Sequence, residues 1–184
     1  SAGQSPAMAS ISVGFALLFL IWGLEHLVPF HLEWNKTDPQ RRNDVGHMLI
    51  GTGIGGGVGE LILKLAFIPV GFRLAEILHG RLWPDALPKG LQIVLVYVLA
   101  DLGRYWQHRL HHQSRFLWKF HARHHSAEQM NVFKTTRSHP MERLLQQVFM
   151  FGVLGVLGAP SEIVMWYVIP NSFLGMLDHS NLDV

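Results

Sequence analysis

Long apolar stretches separated by polar connectors dominate the chain. They fall at residues 9–30, 45–70, 91–100, 144–159 and 161–177. A helix of about 22 residues is about 33 Å long, which is enough to cross the hydrocarbon core of a bilayer. The last two stretches are shorter, and Pro160 separates them. The pattern predicts an all-α, integral membrane helical bundle with three crossings followed by a partly inserted helical hairpin.

The glycine-rich run at 51–59 lies near the start of the second apolar stretch. Glycine weakens a helix in water, but between membrane helices small residues allow close packing. A phosphate-cradling loop is the alternative. No Gly-Lys-Ser/Thr sequence follows the run and no predicted strand precedes it, so we favour helix packing.

The basic residues are distributed unevenly between the connectors. Three crossings and a hairpin place residues 31–44, residues 108–143 and His179 on one side. That side carries ten basic residues: Lys36, Arg41, Arg42, Arg109, Arg115, Lys119, Arg123, Lys134, Arg137 and Arg143. The opposite connector carries Arg73, Arg81 and Lys89. The positive-inside bias predicts a cytoplasmic, histidine-rich helical cap.

The composition narrows the chemistry. Hydrophobic residues make up 49% of the chain and charged residues only 15%, well below the roughly 25% of soluble domains. The formal net charge of +2 does not indicate a nucleic-acid partner. The absence of cysteine excludes disulfides, thiolate nucleophiles, zinc–thiolate sites and iron–sulfur clusters. Twelve histidines remain, and eight of them lie between His108 and His179.

Two adjoining groups of histidines have the spacing of metal ligands. Positions i, i+4, i+7 and i+11 of a helix lie within about 40° of the first position's direction. Asp101, Tyr105, His108 and His112 have this spacing, whereas His111 points off that face. The second group, His121, His124 and His125, projects from about one turn. We predict that these five histidines bind metal, excluding His111, and that Asp101 and Tyr105 orient or pack against them.

Two other readings of the histidines compete. A pH-sensing cluster is one, but a sensor does not need a helical register. A single zinc ion is the other. Structural zinc takes four protein ligands and catalytic zinc usually three, so five imidazoles exceed the need of one zinc ion.

Several motifs together resemble the fatty acid hydroxylase / sterol desaturase superfamily. They are the HxxxH box His108-Arg-Leu-His-His112, the HxxHH box His121-Ala-Arg-His124-His125 after Trp118-Lys-Phe, the segments Arg137-Ser-His139-Pro-Met-Glu142 and His179-Ser-Asn-Leu182, and Arg41-Arg-Asn-Asp44. The resemblance implies two iron ions, for which zinc can substitute, dioxygen, an external electron donor or reductase, and hydroxylation or desaturation of a membrane lipid such as a fatty acyl chain or sterol. It also adds His139 and His179 to the expected ligands. Because Arg41-Arg-Asn-Asp44 fits bacterial members, the resemblance implies a bacterial inner membrane.

A third HxxHH box, which the family carries after its His-Ser-Asn segment, does not occur before Val184. We therefore expect residues 1–184 to be a single membrane oxygenase domain truncated before that box, and inactive by itself. A non-catalytic membrane protein with a vestigial or zinc-filled histidine site is the alternative. The lipid, the reacting carbon, the redox partner and the oligomeric state stay open.

Overall fold

The computed structural model describes residues 6–36 and 40–183, and within them it contains helices and no named strand. The helices are α1 (Pro6–Leu27), α2 (Leu32–Lys36), α3 (Arg41–Ile50), α4 (Gly57–Ile62), α5 (Ile68–Ile77), α6 (Lys89–Gln113), α7 (Arg115–His121), α8 (Pro140–Leu157) and α9 (Ser161–Asp178). Short 3-10 turns occupy His124–Ser126 and Val132–Thr136. The predicted all-α fold is confirmed. The predicted connector 31–44 is described only in part, because residues 37–39 lie outside the described ranges.

None of the helices in these two ranges is both long enough and apolar enough to cross a membrane. The three predicted crossings are thus not confirmed.

The rod formed by α3, α4 and α5 is one continuous helix with two π-helical segments, Gly51–Gly56 and Leu63–Phe67. Gly55, Gly59 and Gly71 lie against α8. A Cβ atom at Gly55 would overlap the carbonyl of Pro140, and one at Gly71 would overlap the carbonyl of Val156. The glycine run therefore forms helix and allows close packing, as predicted, and does not form a phosphate-binding loop.

Two apolar clusters hold the bundle together. One joins α6, α8 and α9 through Trp83, Val96, Ala100, Met150, Leu154, Ile163 and Tyr167. The other joins α1, α9 and the turn Val132–Thr136 through Leu18, Ile21, Val132, Phe133 and Met176. The predicted hairpin of α8 and α9 is present, and Gly158 ends α8 in the left-handed conformation that glycine adopts without strain.

A buried charged network fixes the segment that carries the second histidine box. Asp44 on α3 pairs with Lys134 and, at 3.0 Å, with Arg137. Arg137 in turn donates to the Arg123 carbonyl at 3.2 Å and to Ser126 Oγ at 2.9 Å. Since buried ions need partners, this network holds residues 123–137 against α3. The motif residues Asp44 and Arg137 therefore position the segment that carries the second histidine box.

Candidate metal centre

Four imidazoles converge at the junction of α6, α7 and the turn that follows. His112 Nε2 lies 3.1 Å from His108 Nε2 and 3.2 Å from His121 Nε2, and His125 Nε2 lies 3.0 Å from His121 Nε2. All four ligand atoms lie within 4.8 Å of one another. The structure thus brings together four of the seven histidines predicted as ligands.

Local chain geometry produces this convergence. His108 and His112 are one turn apart on α6, so they share a face. Ser114 then takes an extended conformation, ends α6 and caps α7, with its hydroxyl accepting from Leu117 N at 3.4 Å. This break turns the chain back and returns His121, at the end of α7, to the face of α6.

The nitrogen spacing fits a metal ion. A metal–nitrogen bond of about 2.1 Å places adjacent nitrogens about 3.0 Å apart in an octahedron and about 3.4 Å in a tetrahedron. Each neutral imidazole carries a single N–H, so hydrogen bonds cannot satisfy four converging Nε2 atoms equally. Three neighbouring pairs, at 3.0–3.2 Å, have about this spacing, and a cation bound between them would be shared by their lone pairs.

Glu142 orients the innermost of these rings. His121 is 1% exposed, and its Nδ1–H donates to Oε1 of Glu142 at 2.8 Å. The bond fixes the tautomer that leaves a lone pair on Nε2, the nitrogen in the cluster. The second carboxylate oxygen, Oε2, is buried without a partner among the described residues. The motif Arg137-Ser-His139-Pro-Met-Glu142 was the sequence signal for this carboxylate.

The two residues predicted to support the histidines lie elsewhere. Asp101 accepts a hydrogen bond from the Tyr167 hydroxyl at 2.8 Å. Tyr105 is 52% exposed, and its hydroxyl accepts from Arg109 at 2.6 Å. Neither forms a hydrogen bond with a histidine in the described ranges. Helical phase placed both residues on the correct face of α6, but their side chains are engaged by other partners.

A second group of imidazoles surrounds the buried side of His121. The ring of His111 lies 5.3 Å from that of His121, the ring of His124 lies 5.5 Å from it, and His179 lies 5.2 Å from His124. Nδ1 of His111 lies 2.7 Å from the Gln107 carbonyl, to which it can donate, and 3.1 Å from the Gln107 side-chain Nε2. The buried Nε2 of His111 has no partner in the described part of the chain. Nδ1 of His179 donates to the Gly175 carbonyl at 2.8 Å. Donation to these carbonyls leaves a lone pair on each Nε2.

His111 and His139 both lie outside the four-histidine cluster. As helical phase predicted, His111 does not join the four-histidine cluster, but its buried Nε2 makes it a candidate ligand for a second ion. The structure does not bring His139 to either group. Its Nδ1 accepts from Met141 N at 3.1 Å and caps α8, and its ring packs 4.8 Å from that of Phe120.

Burial keeps the key histidines neutral. Desolvation, together with repulsion from His121, His112 and His125, lowers the pKa of His108 to about 4. Desolvation also lowers the pKa of His124 to about 4, against an opposing effect of Glu142. Neutral imidazole is the metal-binding form, so both side chains are ready to bind a cation at neutral pH.

A cavity of about 230 Å³ opens beside the cluster, between α6, α8 and α9. Four histidines reach it: His108, His121, His124 and His179. Its other walls include arginine, amide and hydroxyl side chains. A small polar group therefore has room next to the candidate metal centre.

Four imidazoles directed towards one point in a helical bundle form a candidate metal site. The family model for fatty acid hydroxylases matches residues 93–184, half of the chain, and the protein belongs to this family. The resemblance noted from its histidine boxes is thus confirmed.

Two curated relatives are similar to the chain. An ornithine lipid hydroxylase, OlsE, of Rhizobium tropici is 35% identical over 163 residues, which is 87% of this chain and 49% of that protein. An alkylglycerol monooxygenase of Danio rerio is 33% identical over 67 residues, 36% of this chain and 15% of that protein. The chain thus spans about half the length of the first relative. No solved structure matches the chain.

Proposed function

We propose that the protein is an iron-dependent hydroxylase that inserts oxygen from dioxygen into a C–H bond of a membrane lipid. The convergence of His108, His112, His121 and His125, in a member of the fatty acid hydroxylase family, carries this proposal. Imidazole ligands suit iron, and bound iron supplies the oxidising chemistry when an external reductase provides electrons. Both relatives are hydroxylases or monooxygenases by name, which favours hydroxylation over desaturation.

The second group of histidines supports two iron ions. His111, His124 and His179 lie around the buried side of His121, and two of them present Nε2 lone pairs without a competing proton. The four-histidine cluster would hold one ion, and this group would contribute to a second. Glu142 would orient His121 between the two sites.

The chain's own residues would position the substrate and exclude water. Apolar side chains cover the outer faces of three helices, including Phe19 and Leu20 on α1, Phe72 on α5 and Leu91 and Val94 on α6. Such contiguous apolar surface suits contact with lipid. We infer that the protein associates with a membrane, with residues 108–143 on the cytoplasmic face. Its lipid substrate would reach the cavity from the membrane.

A single zinc ion in a non-catalytic site is the second candidate. The observation that favours it is the closed set of four imidazoles, because structural zinc takes four protein ligands.

Metal analysis and turnover separate these candidates. The protein would be purified in detergent from cells grown with iron and analysed for iron and zinc per chain. It would then be assayed for lipid hydroxylation with dioxygen and a reductase. Close to two irons per chain and iron-dependent product are expected of the full-length protein. One tightly held zinc and no hydroxylation would instead favour the non-catalytic zinc site, and hydroxylation retained when iron is absent would also refute the iron proposal.

A further inference from the structure

The cavity beside the histidines contains two positive charges that the candidate metal centre does not explain. Arg104 on α6 and Arg143 on α8 line it, together with Gln146 and Asn171. Arg104 lies one helical turn before His108, a spacing that puts side chains next to each other on the helix surface. A group bound to Arg104 would therefore lie close to the metal ligands.

The hydrogen-bond partners of Arg104 are neutral side chains. Its Nη1 donates to Asn171 Oδ1 at 2.7 Å, and its guanidinium also interacts with the Tyr167 hydroxyl. The nearest acidic residue on its own helix, Asp101, instead accepts from the Tyr167 hydroxyl. Across residues 6–36 and 40–183, no carboxylate comes within ion-pair distance of this guanidinium.

Three neutral acceptors hold Arg143 in place. Its Nε donates to Ser138 Oγ at 2.7 Å, its Nη1 to Gln146 Oε1 at 2.9 Å and its Nη2 to the Thr135 carbonyl at 2.9 Å. The neighbouring carboxylate, Glu142, also lines the cavity but accepts from His121. Arg143 therefore forms no ion pair within the described part of the chain. A partly buried guanidinium without a counter-ion favours an added anion.

We propose that Arg104 and Arg143 bind an oxyanion in the polar headgroup of the lipid substrate. This inference rests on the proposed function and extends it, because it names the part of the lipid that enters the cavity. The shared chemistry is a carboxylate or a phosphodiester, either of which two guanidiniums recognise well. The polar end of the lipid and the carbons next to it, and not the far end of an acyl chain, would then lie beside the histidines.

Binding to the full chain, made metal-free by dialysis against a chelator, tests the proposal. Without metal, a carboxylate cannot bind the cluster and imitate the arginine site. Three palmitoyl lipids of equal chain length would be titrated by calorimetry in dodecyl maltoside: N-palmitoylglycine (carboxylate), palmitoyl lysophosphatidylglycerol (phosphodiester) and 1-palmitoylglycerol (neutral). We expect at least one anionic lipid to bind about tenfold or more tightly than the neutral one, and the preferred one identifies the oxyanion.

The variants are Arg104→Gln, Arg143→Gln and, as a matched control, Arg73→Gln, which removes an exposed arginine on α5 that pairs with Glu76. Each cavity variant should weaken anionic-lipid binding about tenfold and leave neutral-lipid binding unchanged. Arg73→Gln should change neither. Arg104 forms fewer hydrogen bonds than the three of Arg143, so Arg104→Gln decides the outcome if Arg143→Gln does not fold.

Equal affinity for anionic and neutral lipids would overturn the proposal. So would equal losses in Arg104→Gln and Arg73→Gln, or losses that extend to the neutral lipid. Metal titration of the same samples separates this result from the proposed function. Failure to bind iron, with arginine-dependent anion binding intact, would refute the hydroxylase and leave the anion site standing. Iron binding without a preference for anionic lipids would refute the anion site and leave the proposed hydroxylase standing.

Discussion

Replacing Glu142 by alanine removes the carboxylate that hydrogen-bonds to His121 of the cluster. Its Oε1 accepts from His121 Nδ1 at 2.8 Å, and both side chains are at least 90% buried. A hydrogen bond to a charged group contributes about 1.5–3 kcal/mol, which corresponds to about 10- to 150-fold in affinity. Loss of a carboxylate that supports a metal-bound histidine costs about 10- to 100-fold. We therefore expect Glu142→Ala to weaken zinc binding by about 10- to 100-fold, and Glu142→Gln, which keeps an acceptor, to weaken it less.

The assay is zinc titration in competition with a chromophoric chelator, with His121→Ala as the reference for loss of a ligand. Glu162→Ala is the matched control, because Glu162 is also an acidic residue in the first turn of its helix but is exposed and pairs with Lys89. Thermal melting of each variant separates weaker metal binding from unfolding. Unchanged affinity in Glu142→Ala, with a large loss in His121→Ala, would refute the orienting role of this carboxylate.

Further substitutions test the other parts of the structure. His112→Ala should abolish the tightest metal equivalent in the same titration, whereas His111→Ala should preserve it; equal losses would contradict the two-group arrangement. Gly103→Ala should lower the free energy of unfolding by about 1–3 kcal/mol in a denaturant titration, because its Cβ would overlap a backbone carbonyl of α8, and an unchanged midpoint would contradict that close approach. Asp44→Asn should cost about 3 kcal/mol or more by the same measurement, since it removes the carboxylate from two buried cations, and a loss below 1 kcal/mol would argue against the network. A thiol-reactive reagent should label Ser126→Cys, the single cysteine of that variant, from the cytoplasmic side of membranes; labelling only from outside would refute the proposed orientation.

Local patterns in the sequence were sufficient to predict the main helices and the central histidines of the candidate metal centre. Apolar stretches and proline positions predicted α6, α8 and α9 close to their observed bounds. The i, i+4 spacing of His108 and His112 placed them on one face, where their Nε2 atoms lie 3.1 Å apart, whereas His111 lies outside the four-histidine cluster. These features depend on residues within one or two helical turns, and helical geometry fixes such relationships regardless of the rest of the fold.

Contacts between distant segments were decided only by the tertiary structure. Helical phase favoured Asp101 as the carboxylate that orients a histidine, but Glu142, from a different helix, reaches His121, while Tyr167 engages Asp101. The two arginines of the cavity likewise meet because α6 and α8 pack closely through a glycine. A sequence pattern shows which face of a helix a residue occupies. It does not show which neighbour that face meets, because this depends on how all the helices pack together.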